Sequence, residues 1–259
     1  MSNFVVAHAP QRARFKHHLK RSAALHSLYK IARDWREIPS GRRGDLLTLA
    51  KIFKIYPRTM LEMPRLFDLA DIVRAVDRDR IPGDFVECGV WNGGAVGLMG
   101  LVSREPRTIH LFDSFEGLPE PSEEDGVSNA RSSRGPLKAL GACVGEKAPA
   151  VRDFLVKRLG LSEESLVFHV GWFQDTVPVD APSIGKISIL RLDGDWYEST
   201  RVCLNELYDK LSPGGFLIID DYGDFVGCRR AVDEFFQVRG ENPSFVHSDN
   251  ECIFFRKAL

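Results

Sequence analysis

Four aspartates carry the strongest chemical signal in this chain. Asp193 and Asp195 close the run ISILRLDGD, and Asp220 and Asp221 close the run GGFLIIDDY. Both runs are apolar and β-branched, and the intervening RVCLNELYDKL has helical spacing. Parallel strands joined by one helix lie close together and end at the same edge of a sheet, where open α/β folds bind ligands. Up to four carboxylates then crowd one edge. Like charges packed together are costly unless neutralised, and a hard divalent cation with oxygen ligands does so. Asp is also favoured at N-caps and in turns, but that role explains one isolated Asp better than two pairs on two linked strands.

A second constellation is ECGVWNGG, which holds Glu87, Cys88, Gly89, Asn92, Gly93 and Gly94 where a strand turns into its helix. Glycine lets backbone approach a ligand, and a helix N-terminus favours a carboxylate or phosphate. The spacing is not GxGxxG, so a dinucleotide pyrophosphate fits poorly and a single nucleoside with an amino-acid tail fits better. The tail carboxylate would take the amides near Gly93 and Gly94. Glu87 would receive an ammonium or buttress the loop. Asp113, followed by Ser114, ends the next strand 24 residues after Gly89, the place where nucleoside-binding α/β folds put an acceptor for ribose hydroxyls. In GWFQDT, Trp172 after Gly171 would face an adenine or pack under the helices, and Gln174 or Asp175 would bond its amino group. His110 and His169 lie within apolar strand patterns and read as structural.

The elements that position these residues follow from periodicity. Strands are expected at 84–90, 108–114, 165–172, 187–195 and 214–222, with helices at 92–103, 150–159, 201–211 and 228–238. Ser199 or Thr200 would cap the helix after Asp195. The last two runs, PSFVHSD and ECIFFRK, form a hairpin turning at Asp249-Asn250. The polar stretch from Phe115 to Pro136 is long for a compact domain and reads as a lid or a disordered segment. Three helices come first, at 19–35, at 46–56 starting near Asp45, and at 64–76 with Pro64 in its first turn. The expected fold class is α/β: a Rossmann-like doubly wound sheet, mostly parallel with an antiparallel last strand, over 81–259, preceded by a basic helical extension over 1–80.

Charge divides the chain. Residues 1–60 carry 13 Lys and Arg against 3 Asp and Glu, a net +10, and the rest carries 22 against 33, a net −11. A basic extension ahead of an acidic body suits nucleic acid, anionic lipid or an acidic neighbouring subunit, or is a solvated helical face; a homo-oligomer is the expectation, and nucleic acid is not. Five widely spaced cysteines with no CxxC argue against a disulfide framework and against zinc. The N-terminus has no signal-peptide pattern and no apolar run is long enough to span a bilayer, so a cytoplasmic location is expected.

Taken together, GDFVECGVWNGG, LFDSFEGLP, GWFQDT, LRLDGDWYEST, SPGGFLIIDDY and AVDEF resemble the macrocin/mycinamicin-type (TylF) O-methyltransferases, over about residues 56–257. The resemblance implies a class I methyltransferase domain with S-adenosylmethionine (SAM) as donor and Mg²⁺ at the acceptor site. The acceptor it implies is a hydroxylated small molecule, glycosidic in this family. It maps the metal onto Asp193, Asp220 and Asp221, with Asp193 also as base. It maps the ribose contact onto Asp113, and the cofactor loop onto Glu87 and Gly89. TMLEMPRL resembles the segment lying over the cofactor, which adds Thr59 and Met60. Residues 1–50 and 122–150 match the family poorly. A catechol-type metal-dependent O-methyltransferase and a non-catalytic SAM-binding protein are the alternatives.

Overall fold

The computed structural model describes residues 34–38, 40–126 and 143–258, with the backbone of two short strands between 131 and 136. The helix expected over 19–35 falls outside them but for its last two residues. In chain order the elements are α1 (Leu46–Ile55), α2 (Met63–Arg78), β1 (Asp84–Cys88), α3 (Gly94–Val102) and β2 (Ile109–Asp113). A two-residue hairpin follows, β3 (Arg131–Ser132) with β4 (Gly135–Pro136), then α4 (Ala148–Asp153), which runs into a π-helical turn. The second half is β5 (Leu166–Val170), α5 (Phe173–Asp180), β6 (Ile187–Leu192), α6 (Tyr197–Leu207), β7 (Leu211–Ile219), α7 (Val226–Arg239), β8 (Val246–His247) and β9 (Ile253–Arg256).

Seven strands form one sheet in the order β5-β2-β1-β6-β7-β9-β8. β5, β2, β1, β6 and β7 are parallel, and β9 pairs antiparallel with both β7 and β8. The doubly wound class and its antiparallel finish therefore hold. Strand alternation divides the core. Phe85, Leu111, Ile189 and Ile218 pack under the first helices, among Ile52, Leu66 and Leu98. Val86, Cys88, Phe112, Leu190 and Leu217 pack under the later ones, among Val177, Leu204 and Val232. α1 and α2 share the first of these cores with the sheet.

The local reading holds at α1, where the Asp45 carboxylate accepts from Thr48 N at 3.0 Å, and at α2, which has Pro64 in its first turn. It differs in four places. β7 begins at Leu211, three residues early, because Ser212 Oγ donates to Pro82 O and anchors the entry. α5 was not expected, since Pro178 and two valines mask eight helical residues. Ser199 and Thr200 lie inside α6 and are buried, because the N-cap position is Trp196 and a carboxylate from elsewhere takes the first amide. In the C-terminal hairpin, β8 is only two residues long.

Candidate active site

The C-terminal ends of β1, β2, β6 and β7 deliver their terminal residues to one edge. There they wall a cavity of about 400 Å³, the size of a small-molecule site. Asp193 N donates to Cys88 O at 2.8 Å and Asp220 N to Leu192 O at 2.9 Å, so both aspartates prolong the parallel ladder. Side chains of neighbouring ladder residues point to opposite faces. Asp220 accordingly turns toward α2, and Asp221 turns toward Asp195.

Two arginines sit behind this edge. Arg191 Nη1 donates to Glu87 Oε1 at 2.5 Å and to Asp193 Oδ2 at 2.9 Å, and its Nη2 donates to Asp220 Oδ1 at 2.7 Å. Arg65, from α2, donates through Nη1 to Asp220 Oδ2 at 2.7 Å, through Nε to Asp249 Oδ2 at 2.5 Å, and through Nη2 to Glu251. Burial works against a charge on Asp220, but these two guanidiniums outweigh it and hold the carboxyl below its usual range. Burial pushes the Asp193 carboxyl up to about 6 despite Arg191. It raises Asp195 and Asp221 well above the usual value, and their carboxylate neighbours add to the rise.

Among the described residues, Asp193, Asp195 and Asp221 each offer an oxygen within 4.8 Å of the others. Asp220, the third member of the expected grouping with Asp193 and Asp221, lies outside this trio, and its two oxygens accept from Arg191 and Arg65. Asp195 has a left-handed backbone, φ 58°. For a residue other than glycine that conformation costs on the order of 1–3 kcal/mol and persists only where the surroundings enforce it. Asp221 Oδ2 accepts from Asp195 N at 3.1 Å and supplies part of that hold.

On the cofactor side, Gly89 has φ 97°, and a Cβ there would lie 1.8 Å from Asp193 O. Only glycine lets β1 and β6 approach so closely. Asp113 closes the turn: its Oδ2 accepts from Val90 N at 2.7 Å and from Trp91 N at 2.8 Å, and its Oδ1 accepts from Phe115 N at 2.6 Å. The ribose acceptor expected from spacing is thus first a pin for two left-handed residues, Trp91 and Phe115. Glu87 is 1% exposed, and among the described residues its Oε2 has no hydrogen-bond partner although the residue lines the cavity. Burial raises its carboxyl to about 8 against the pull of Arg191. A buried oxygen in this position calls for a donor from a ligand.

Of the residues expected at the cofactor, Thr59, Met60, Gly94, Ser114, Gly171 and Trp172 line the cavity, together with Phe173 and Gln174. Four expected residues do not. Cys88 points into the core on the opposite face of β1. Asn92 Oδ1 accepts from Glu146 N at 2.7 Å and so fastens the far rim. Gly93 packs beside Val151 and Leu155, and Asp175 is exposed on the first turn of α5. Arg65 and Arg191 line the cavity and were missed by sequence reasoning. A signal existed for Arg191 alone, a charge inside an apolar strand beside a strand carrying Glu87.

A glycine turn after β1, an acidic residue ending β2 and a cavity across the strand ends of this sheet define a class I SAM-dependent methyltransferase. The family profile described as macrocin-O-methyltransferase (TylF) matches residues 47–257; the chain belongs to this family and is an O-methyltransferase using SAM. It is 36% identical over 204 residues to mycinamicin III 3''-O-methyltransferase of Micromonospora griseorubida, covering 77% of this chain and 78% of that one. It is 38% identical over 217 residues to 8-demethyl-8-(2,3-dimethoxy-alpha-L-rhamnosyl)-tetracenomycin-C 4'-O-methyltransferase of Streptomyces olivaceus, covering 82% and 80%. The solved O-methyltransferase NovP superposes with a TM-score of 0.69 at 33% identity, covering 78% of this chain and 83% of that one. Among the described residues no helix is long and apolar enough to cross a membrane.

Proposed function

We propose that this chain methylates a hydroxyl on the sugar of a glycosylated natural product, with a divalent cation at the acidic edge and Asp195 as base. The observation that carries this reading is the meeting of Asp193, Asp195 and Asp221 beside the Gly89 turn in one cavity. The names of the two curated relatives supply the acceptor class.

The residues present fit both groups. Glu87 Oε2 needs a donor, which the ammonium of a SAM tail would provide. Oxygen-only donors at the acidic edge suit Mg²⁺. Asp193 and Asp221 would hold the cation. Asp220 would join them, since its arginines keep it ionised and each of its oxygens retains a second lone pair. SAM supplies an electrophilic methyl group, and Mg²⁺ supplies positive charge that lowers the cost of deprotonating the acceptor hydroxyl. Asp193 accepts a hydrogen bond from Arg191, which weakens it as a base. Asp195 lies beside Asp193 and Asp221, and its turn is held by Asp221 rather than by an arginine. It is therefore the better group to receive the hydroxyl proton as oxygen takes the methyl. Thr59, Gly94 and Trp172 orient the donor within the cavity.

The test is turnover of glycoside and catechol acceptors with SAM, with and without EDTA. Activity on glycosides that EDTA abolishes and Mg²⁺ restores is expected. Full activity in EDTA refutes the cation, and preference for catechols refutes the acceptor class. A homo-oligomer belongs to the same reading, since Leu46 and Leu47 stand 71% and 77% exposed at the start of α1; sedimentation velocity reads it directly.

A further inference from the structure

Asp125 belongs to none of the sequence motifs. It lies in the acidic run after Pro121, yet its side chain is buried, 5% exposed. Its Oδ1 accepts from Tyr197 N at 2.7 Å, the first amide of α6. Its Oδ2 accepts from Ser122 N and Ser122 Oγ, both at 2.9 Å. α7 makes room for it, because a Cβ on Gly227 would lie 1.8 Å from Asp125 Oδ1. The same loop takes a second hold next door, where Trp196 Nε1 donates to Pro119 O at 3.0 Å.

The held segment is the turn that carries Asp195. Asp221 grips it at Asp195 N, Pro119 at the Trp196 side chain, and Asp125 at Tyr197 N. The N-cap residue Trp196 has no side-chain cap bond of its own, so α6 takes its cap from a loop 72 residues earlier. An acceptor there satisfies an orphan amide, and its negative charge suits the helix dipole. The left-handed backbone of Asp195 has to be enforced from both sides, and Asp125 is the carboxylate on the side away from Asp221.

We propose that Asp125 is a positioning residue which, through Tyr197 N, fixes the turn that presents Asp195 to the acceptor. The loop walling the cavity is thereby coupled to the proton-accepting group. This rests on the reading of Asp195 as base.

The experiment compares Asp125→Ala, Asp125→Asn and Gly227→Ala with wild type, by kcat, by SAM affinity from calorimetry and by Tm. Asp125→Ala and Gly227→Ala should each lower kcat ten-fold or more and leave SAM affinity within about two-fold. Asp125→Asn, which keeps an acceptor at Oδ1, should recover most of the rate. The double variant should lose little more than the worse single, because both act on one contact. Gly227→Ala also keeps the test open if Asp125→Ala does not fold. A lowered Tm with wild-type kcat in both folded variants makes Asp125 a helix cap alone and overturns the proposal. Asp195→Asn run alongside separates the failures. Full activity there sinks the base and this inference together, whereas loss there with full activity in the Asp125 and Gly227 variants sinks only the positioning role.

Discussion

Arg65 Nη1 donates to Asp220 Oδ2 at 2.7 Å across 155 residues of chain. The contact joins a helix that precedes the first strand to the acidic edge of the sheet. Every donor face of this guanidinium meets a carboxylate, and two of those belong to the turn of the C-terminal hairpin. The edge is therefore assembled from both ends of the described chain.

Arg65→Met should be strongly destabilising. It leaves Asp220, Asp249 and Glu251 without their shared cation, and removing one partner of a buried pair costs about 3–5 kcal/mol. Urea denaturation measures it. Arg65→Lys keeps the charge but loses the planar fork, and should fall between the two. A loss under about 1 kcal/mol in Arg65→Met, the range of an exposed pair, would contradict this account.

Asp195→Asn and Asp193→Asn should fail in different ways. With Asp195 as base, Asp195→Asn lowers kcat by about 10²–10⁴ and leaves Mg²⁺ affinity near wild type. Asp193→Asn weakens Mg²⁺ binding. Single-turnover rates with calorimetric Mg²⁺ titrations distinguish them, and the reverse pattern returns the base role to Asp193.

Glu87→Gln should weaken SAM binding. Hydrogen bonds to charged groups contribute about 1.5–3 kcal/mol, so the dissociation constant should rise by one to two orders of magnitude. The variant keeps the shape of the side chain, and calorimetry with S-adenosylhomocysteine reads the effect. Unchanged affinity would show that Oε2 serves something other than the donor.

A pH effect on stability should trace to His110. Its Nδ1 faces His169 Nε2 at 3.1 Å, its Nε2 faces Asp84 at 3.3 Å, and His169 Nδ1 faces Asp180 at 2.8 Å. Burial lowers the His110 pKa, with Asp84 pulling the other way. An unfolded histidine titrates near 6.5. As pH falls through that value the unfolded chain takes up a proton that the folded chain refuses, so the His110 contribution is intact above about pH 6.5 and is lost below it. Tm should fall less between pH 7.5 and 5.5 in His110→Gln than in wild type. Equal falls would remove His110 as the cause.

The sheet was legible because its strands alternate or run apolar, and the acidic edge because two strands end in paired aspartates. The arginines behind that edge were not. Arg65 sits on an amphipathic helix, where a lone Arg looks solvated, and only tertiary packing shows that it is 7% exposed. Asp220 and Asp221 are adjacent and identical in type, so sequence alone could not show that one turns to arginines and the other to Asp195. Asp113 matched the spacing of a ribose acceptor, yet its first partners are backbone amides of its own site. Asp125 was hidden among Glu123 and Glu124, which give that run the look of open surface.

At Gly89 the backbones of β1 and β6 nearly touch. On the proposed reading, the seat of the methyl donor and the acidic edge therefore share a single wall, and the gap between them is set by the strands of the sheet. Evolution cannot retune that gap without rebuilding the scaffold. On the same reading, a change of acceptor falls to residues such as Leu118, Pro119, Asp224 and Phe225, which line the cavity from outside the strands.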